Sequence, residues 1–441
     1  MVSFLQDFWW FLVLIGVMIL LHELGHYLVG RFFDVKIDAF SIGFGPRLFG
    51  FRRGETDFKV CLILFGGYVK FAGEQPGDEQ ASDPRALPSK PRWQRLCITF
   101  AGPFTNLVLA VGLLTGLFMF QYPKIPMPPS PIVGFVAPDG AAAKAGVREG
   151  DKVVQIDGKV DPTWETIIVT EIASAKRPMD VWVVRDGQRL NFSITPVYEE
   201  KQHIGYAGWT QATAVQVGGY CCNVDVAQKA GLQKGDTFVS INGKPIRSSM
   251  RLLELIGEAK GSPIDLAYLR NGKEQHTTVV PVWSEVQGSP ASWRIGAALE
   301  SPVEIVKLPF REAAAESWRQ NVQSAKLIYQ FIQGIAERRM SPKSLEGPIR
   351  IAQLSGQAAR EGAVVYIGLM AAVSLNLAIF NLLPIPILDG GVMLMLLVEM
   401  LLRRDLSLRI KEAIVRVGFV FLMMVVVFVL YNDIAKMLPP G

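Results

Sequence analysis

The sequence predicts a polytopic α-helical membrane protein with about four transmembrane helices and an aqueous insert of two repeated α/β units between the second and third spans. Three observations carry this prediction. Hydrophobic residues make up 50% of the 441 residues and the mean hydropathy is +0.27, high for a chain with 41 glycines and 27 prolines. Four stretches reach the ~20 mainly apolar residues that a bilayer-crossing helix needs. The region between the second and third repeats itself at an offset of 85 residues, Asp151 falling over Asp236.

The spans come in order at residues 8–29, 96–120, 363–380 and 413–431, with proline-broken apolar sequence at 381–402. Residues 1–10 hold no Lys or Arg and no small-residue cleavage site follows, so the first span is expected to stay attached as an anchor. Orientation follows the Lys/Arg bias of short loops. Residues 31–95 hold eleven Lys or Arg and residues 403–416 hold five, which places both loops in the cytoplasm. Both termini and residues 121–362 then lie outside it. The net charge of +5 is spread without an aromatic-interleaved basic run, which argues against a nucleic-acid partner. Cys61, Cys97, Cys221 and Cys222 show no metal-knuckle spacing and read as small buried residues; the adjacent pair would bond only in a strained ring.

In the insert, Lys144–Asp151 lies over Lys229–Asp236, Ile156–Lys159 over Ile241–Lys244, and Arg185–Gly187 over Arg270–Gly272. Each copy has alternating strands, Asp-Gly or Asn-Gly turns and one helical stretch. This resembles a tandem of circularly permuted PDZ domains, at residues 127–218 and 219–305. In such domains a glycine-containing loop receives a peptide terminus and the peptide adds a strand. Gly134, Phe135 and Val136, matched by Gly219, Tyr220 and Cys221, are the candidates for that role. Residues 123–131 read as a stiff Pro-rich linker from the first membrane half, residues 1–122. Residues 306–362 read as an amphipathic helical linker to the second half, residues 363–441, with Ala314, Trp318, Val322, Ala325, Tyr329 and Ile332 on a face expected to pack on protein.

His22-Glu23-Leu24-Gly25-His26 carries the chemistry. On a helix, positions i and i+4 share a face, so both imidazoles reach one metal while Glu23 stands beside a water that the metal activates. Ionisable groups inside a span cost ~2.5–3.5 kcal/mol each, so three within five residues face a polar site rather than lipid. Catalytic zinc takes three protein ligands and keeps one position open. The third is expected from the segment 381–391, where Pro384 and Pro386 break the helix around Asp389; irregular backbone at that depth survives only against protein or a cavity. His203 and His276 fall in the aqueous insert and are not expected to be ligands.

HELGH in the first span, Asn381-Leu-Leu-Pro-Ile-Pro-Ile-Leu-Asp389-Gly near the C-terminus and two PDZ-like units between them resemble the site-2 protease family, closest to its tandem-PDZ bacterial branch of sigma-E regulators. The resemblance implies Zn2+ held by His22, His26 and Asp389, with Glu23 catalytic. It implies that the segment 43–69 forms a membrane-associated β-hairpin whose residues 57–69, ending in Gly66, Gly67 and Tyr68, present an edge to substrate, and that Asn381 and Asn376 bind the unwound substrate backbone. Gly102 and Pro103 at the start of the second span match relatives or serve close helix packing. Expected substrates are single-span membrane proteins such as an anti-sigma factor already shortened by another protease, and remnant signal peptides. The expected setting is a monomer in the bacterial inner membrane, with the repeat and both termini periplasmic. The competing reading is a non-catalytic PDZ scaffold with a decayed metal site, against which the intact Glu23 argues. An ion transporter is a weaker third, since Asp389 and Glu399 are the only acids from 363 to 402.

Overall fold

The computed structural model describes residues 2–74, 82–124, 131–199, 204–222, 224–286, 289–302, 304–337 and 347–437. His203 and most of the Pro-rich stretch 123–131 lie outside them. The helices in chain order are α1 (Val2–Phe32), α2 (Arg92–Phe120), α3 (Ala141–Ala145), α4 (Trp164–Ala173), α5 (Val226–Lys229), α6 (Ser249–Ala259), α7 (Phe310–Ala336), α8 (Pro348–Glu361), α9 (Ala363–Asn381), α10 (Asp389–Leu402) and α11 (Leu408–Met437). The chain forms two compact units, one of Met1–Tyr122, Val306–Ile328 and Leu345–Gly441, the other of Pro123–Ile305 and Tyr329–Ser344.

In the first unit, Leu5–Phe32, Arg92–Phe120, Ala363–Asn381 and Leu408–Ala435 are long and apolar enough to cross a membrane, on the four stretches the sequence indicated. α2 packs against α1, α9 and α10. Small residues permit this closeness: a Cβ on Gly25 would run into the Ala101 carbonyl and Thr105 of α2. α8 lies along α1. Its N-terminal donors are capped by Asp433 of α11, which accepts from the N–H groups of Gly347 (2.9 Å), Ile349 (3.1 Å) and Arg350 (3.3 Å). Much of α11 is bare apolar surface, with Val417, Met424 and Val427 each at least 60% exposed, as a helix covered by lipid requires.

The loop after α1 forms the expected hairpin from Ile37–Arg53 and Thr56–Phe71. Both strands fold back on themselves. Residues 39–42 are registered against Lys70–Gly67 on one side and Asp57–Val60 on the other, while residues 49–53 cover the far side of 56–60. Residues 57–60 are therefore interior, and the edge nearest the first span is narrower than the sequence suggested: among the described residues 67–71 lacks a second strand, as does 49–53 at the far side of the sheet. Phe44, Leu48, Phe49, Phe51, Leu62 and Ile63 are all exposed, an apolar tip suited to the bilayer.

The N-terminal part of α7 corrects the sequence reading. Ala313, Ser317 and Asn321 are the buried positions, with Ser317 Oγ donating to the Val111 carbonyl at 2.8 Å, while Trp318 is 56% exposed. Small residues, two of them polar, are the most deeply buried positions there, and Trp318 of the apolar stripe is not among them.

The second unit holds the two copies. In the first, Lys159–Val160, Lys152–Ile156, Met179–Arg185 and Gln188–Ile194 form a four-stranded sheet in that order, and Val133–Val136 pairs with Trp209–Gln211. In the second, Lys273–Val279, Ile264–Arg270, Thr237–Ile241, Gln216–Tyr220 and Ala297–Glu300 make one sheet in that order, with Lys244–Pro245 beside Thr237–Ile241. Each core closes under one helix, α4 through Ile167 and α6 through Leu252, Leu255 and Ile256. The repeated motif turns out to be a buried ion pair. Arg185 Nε donates to Asp151 at 2.7 Å and its Nη2 to the Gly146 carbonyl, as Arg270 does to Asp236 at 2.8 Å and to the Gly231 carbonyl.

Around Gly134, Phe135 and Val136, Trp209–Gln211 pairs with one side; on the other Val133 exchanges bonds with Asp151 and Gly150, and no strand is registered beside 134–136 among the described residues. The α6 N-cap Ser248 also donates to the Gly134 carbonyl at 3.4 Å. Gly219 and Tyr220 pair with Ala298 and Ala297 on one side, while Thr237–Ile241 is registered with their strand only at Gln216. In both copies the candidate residues therefore have a strand on one side only among the described residues. The cysteines differ from the sequence reading: Cys61 is buried, Cys97 is exposed, and Cys221 and Cys222 are joined to each other.

Candidate metal centre

His22 and His26 face one way from α1, and Asp389, the first residue of α10, meets them. One ligand atom from each lies within 4.8 Å of the other two. His22 Nε2 is 3.2 Å from His26 Nε2 and 3.1 Å from Asp389 Oδ2, and His26 Nε2 is 3.6 Å from Asp389 Oδ1. Separations of this size are the edges of a tetrahedron whose centre lies about 2 Å from each donor, the bond length of zinc to nitrogen or oxygen.

The far ring nitrogens have partners that fix the rings. His26 Nδ1 lies 2.8 Å from the Ile98 carbonyl, so it carries the hydrogen and leaves Nε2 a free lone pair. His22 Nδ1 lies 3.2 Å from the Asn106 side-chain amide nitrogen, while the fully buried Asn106 Oδ1 has no partner. Turning that amide over lets Oδ1 accept from Nδ1–H, and His22 Nε2 then also becomes a lone pair aimed at the centre. The residues thus fit a metal ion. Asn106 is a candidate site residue that the sequence reading did not single out; its signal was a polar side chain about three turns into an apolar span.

Asp389 owes its place to the broken segment before it. Ile385 N–H donates to the Leu383 carbonyl, a two-residue turn that no helix makes, and Leu388 N–H to that of Ile385, a single three-residue turn. Between them Ile387 adopts φ +84, a left-handed value costly for a β-branched residue. Gly390 and Gly391 let the start of α10 press against this loop, where a Cβ would strike Leu383 and Ile385.

Glu23 sits one residue after His22, half-buried, and its carboxyl is hydrogen-bonded to the Val69 backbone on the hairpin edge. Gly67 crosses directly over it: a Cβ there would stand 2.8 Å from the Ser41 carbonyl and 3.3 Å from Glu23 Cγ. Gly66 packs on Phe44, and Tyr68 stacks on the same ring with centroids 5.9 Å apart. Gly102 of α2 backs the imidazoles, where a Cβ would collide with Nε2 of His26 and His22. Asn381 ends α9 and Asn376 is exposed five residues earlier, roughly 140° away around the helix, so the two do not share a face.

Residues 10–425 match the model of Peptidase family M50. The regulator of sigma-E protease RseP of Salmonella typhimurium is 29% identical, over 99% of this chain and 100% of its own length. RseP of Escherichia coli K12 is 28% identical over the same shares. A Neisseria meningitidis serogroup A protein named as a zinc metalloprotease is 31% identical, over 97% of this chain and 98% of its own.

Proposed function

The chain belongs to peptidase family M50, the zinc-dependent site-2 proteases, and from that premise we propose that His22, His26 and Asp389 hold its zinc and that Glu23 is the general base. The enzyme is a zinc metalloprotease of the membrane, related throughout its length to regulators of sigma-E. The observation that carries the assignment is the convergence of three ligand atoms within 4.8 Å, beside a carboxylate that is not one of them. When bound, zinc lowers the pKa of water toward about 7 and polarises a carbonyl. Glu23 takes the proton from the attacking water and passes it to the leaving amine.

A helical substrate hides its carbonyls in its own hydrogen bonds, so it must unwind first. The free edge at 67–71 runs past Glu23, which supports its role in receiving an extended segment as an added strand, with Gly67 giving the backbone room to approach. Asn376 and Asn381 are proposed to take up released backbone groups, Asn381 nearer the broken loop. Substrates are proposed to be single-span proteins such as an anti-sigma factor after a first cut outside the membrane, and remnant signal peptides, cleaved in an envelope stress response. We place the protein as a monomer in a bacterial inner membrane, its two PDZ-like copies and termini periplasmic. The copies are proposed to act as a size filter; Gly134 and Gly219, on segments paired with a strand on one side only, mark where a peptide would add as a strand if the copies instead bind one.

Metal analysis and cleavage of a panel of single-span substrates, with and without a chelator, test the proposal. One zinc per chain is expected, with activity lost on chelation. Equal zinc in a His22→Ala/His26→Ala variant would sink the ligand assignment.

A further inference from the structure

Adjacent Cys221 and Cys222 are bonded at the turn that leaves strand Gln216–Tyr220. Cys222 has φ +71, a backbone region that residues bearing a Cβ seldom enter. The repeat supplies an internal control, because the matching residues of the first copy are Val136 and Ala137, neither of which has positive φ. The unit is therefore built without such a pair, and the disulfide answers another requirement.

Its surroundings tie it to a sheet edge. Cys221 N–H donates to the Gly296 carbonyl at 3.0 Å, Val224 N–H to the Cys221 carbonyl at 3.4 Å, and Ala227 N–H to the Ile295 carbonyl at 2.7 Å. Gly296, at φ +81, lies so close to the Val224 carbonyl that a Cβ would collide with it. The next residue begins Ala297–Glu300, the strand that ends the second copy's sheet. Both cysteines are half-buried, within reach of small thiols. Arg294 Nη1 stands 3.9 Å from Cys222 Sγ, a cation that favours the thiolate once the bond is opened.

We propose that Cys221–Cys222 is a redox-active site, a thiol–disulfide switch that exchanges with an external dithiol and whose reduced form binds thiophilic ions. A thiolate of the dithiol attacks one sulfur, and its second thiol resolves the mixed disulfide. The reagent leaves as a cyclic disulfide, and two electrons and two protons stay on Cys221 and Cys222. Opening the ring frees Cys222 from its left-handed turn and loosens the support of Gly296, so the Ala297–Glu300 edge frays. The freed thiols, on neighbouring residues, chelate a soft ion between them.

The full-length protein in detergent, purified without reductant, provides the test. Peptide mass spectrometry under non-reducing conditions should find the Cys221–Cys222 peptide two hydrogens lighter than its dithiol. Graded dithiothreitol should convert it to a form that binds one phenylarsine oxide. Amide exchange along Ala297–Glu300 should then rise about tenfold, while Trp209–Gln211, the corresponding edge of the first copy, stays unchanged. A Cys221→Ser/Cys222→Ser variant should show the faster exchange from the outset and ignore both reagents; the milder Cys222→Ser variant guards against misfolding of the double one. Free thiols that stay free under a mild oxidant would overturn the proposal, as would equal exchange of Ala297–Glu300 in the two redox states.

Discussion

Asp389 and Asp151 are both shielded carboxylates facing nitrogen donors, yet they stand at opposite ends of what a polar cluster can be. Asp151 is saturated: Arg185 reaches both its oxygens at 2.7 Å, the Arg148 N–H adds a third bond at 2.8 Å, and its exposure is 1%. Both oxygens have donors and the charge has its counterion. Asp389 faces two imidazole nitrogens that also face each other at 3.2 Å. Once their outer nitrogens hold the hydrogens, three lone pairs converge with no proton among them. Saturation marks a cluster that holds a fold, and convergence marks one that holds a cation.

Glu23→Gln gives the sharpest break between the two regions. It removes the proposed base and no ligand, so cleavage should fall about 10²–10⁴-fold while zinc stays at one per chain. Metal analysis beside a cleavage assay checks both halves, and normal cleavage by the variant would restore the scaffold reading. Asn106→Ala should cost about 10–100-fold in zinc affinity, read by competition with a chelating dye, because the His22 ring loses the partner that sets its tautomer. Gly102→Ala should act in the same direction by pushing a methyl group into both imidazoles.

Much of this was legible in advance, for physical reasons that differ between regions. The HELGH helix and the Asp389 segment were readable because ionisable residues in apolar spans have so few uses. The repeat was readable from Asp-Gly and Asn-Gly turns and from an Asp and an Arg recurring together, although the sequence did not disclose that Asp151 and Arg185 bond. The fold-back of the hairpin was not readable, since its registers shift at several points and period-two patterning carries no record of a bulge. Nor was the one-sided pairing of Gly134 and Gly219, since a glycine before a strand looks the same whether its edge is free or covered. Trp318 misled for a related reason, because an apolar stripe beside a membrane need not face protein.

A smaller effect is expected in the repeat. Arg185→Met would leave Asp151 buried and unneutralised, destabilising the first copy by about 3 kcal/mol. Chemical denaturation followed by amide exchange of the first copy should register the loss. Zinc content and cleavage of shortened substrates should stay at the unmodified level, since the pair belongs to the other compact unit.

The least effect, and the most discriminating within the repeat, concerns pH. In the first copy Glu171 of α4 is buried, accepting from the Ala207 N–H at 2.6 Å and Trp209 Nε1–H at 2.9 Å; the matching residue of the second is Ile256. Burial pushes the Glu171 carboxyl above its usual range, more than those two bonds pull it down. In the second copy burial also works to raise Asp236, but Arg270 and the Gln233 N–H outweigh it and hold that carboxyl below the usual range. The signs then oppose each other. A raised folded-state value gives stability that is complete below the unfolded pKa and disappears as pH climbs through the folded one, whereas a lowered value gives stability that disappears as pH falls through it. Glu171 therefore favours the first copy in acid, and Asp236 favours the second from the ordinary carboxylate range upward. Amide exchange of the full chain across pH, corrected for its intrinsic pH dependence, should show protection of the copies diverging in these directions. Glu171→Gln should flatten the contribution of the first copy and leave the second as it was. If both copies lose protection together on acidification, and Glu171→Gln changes neither, saturation by two donors is enough to hold a buried carboxylate ionised without a counterion.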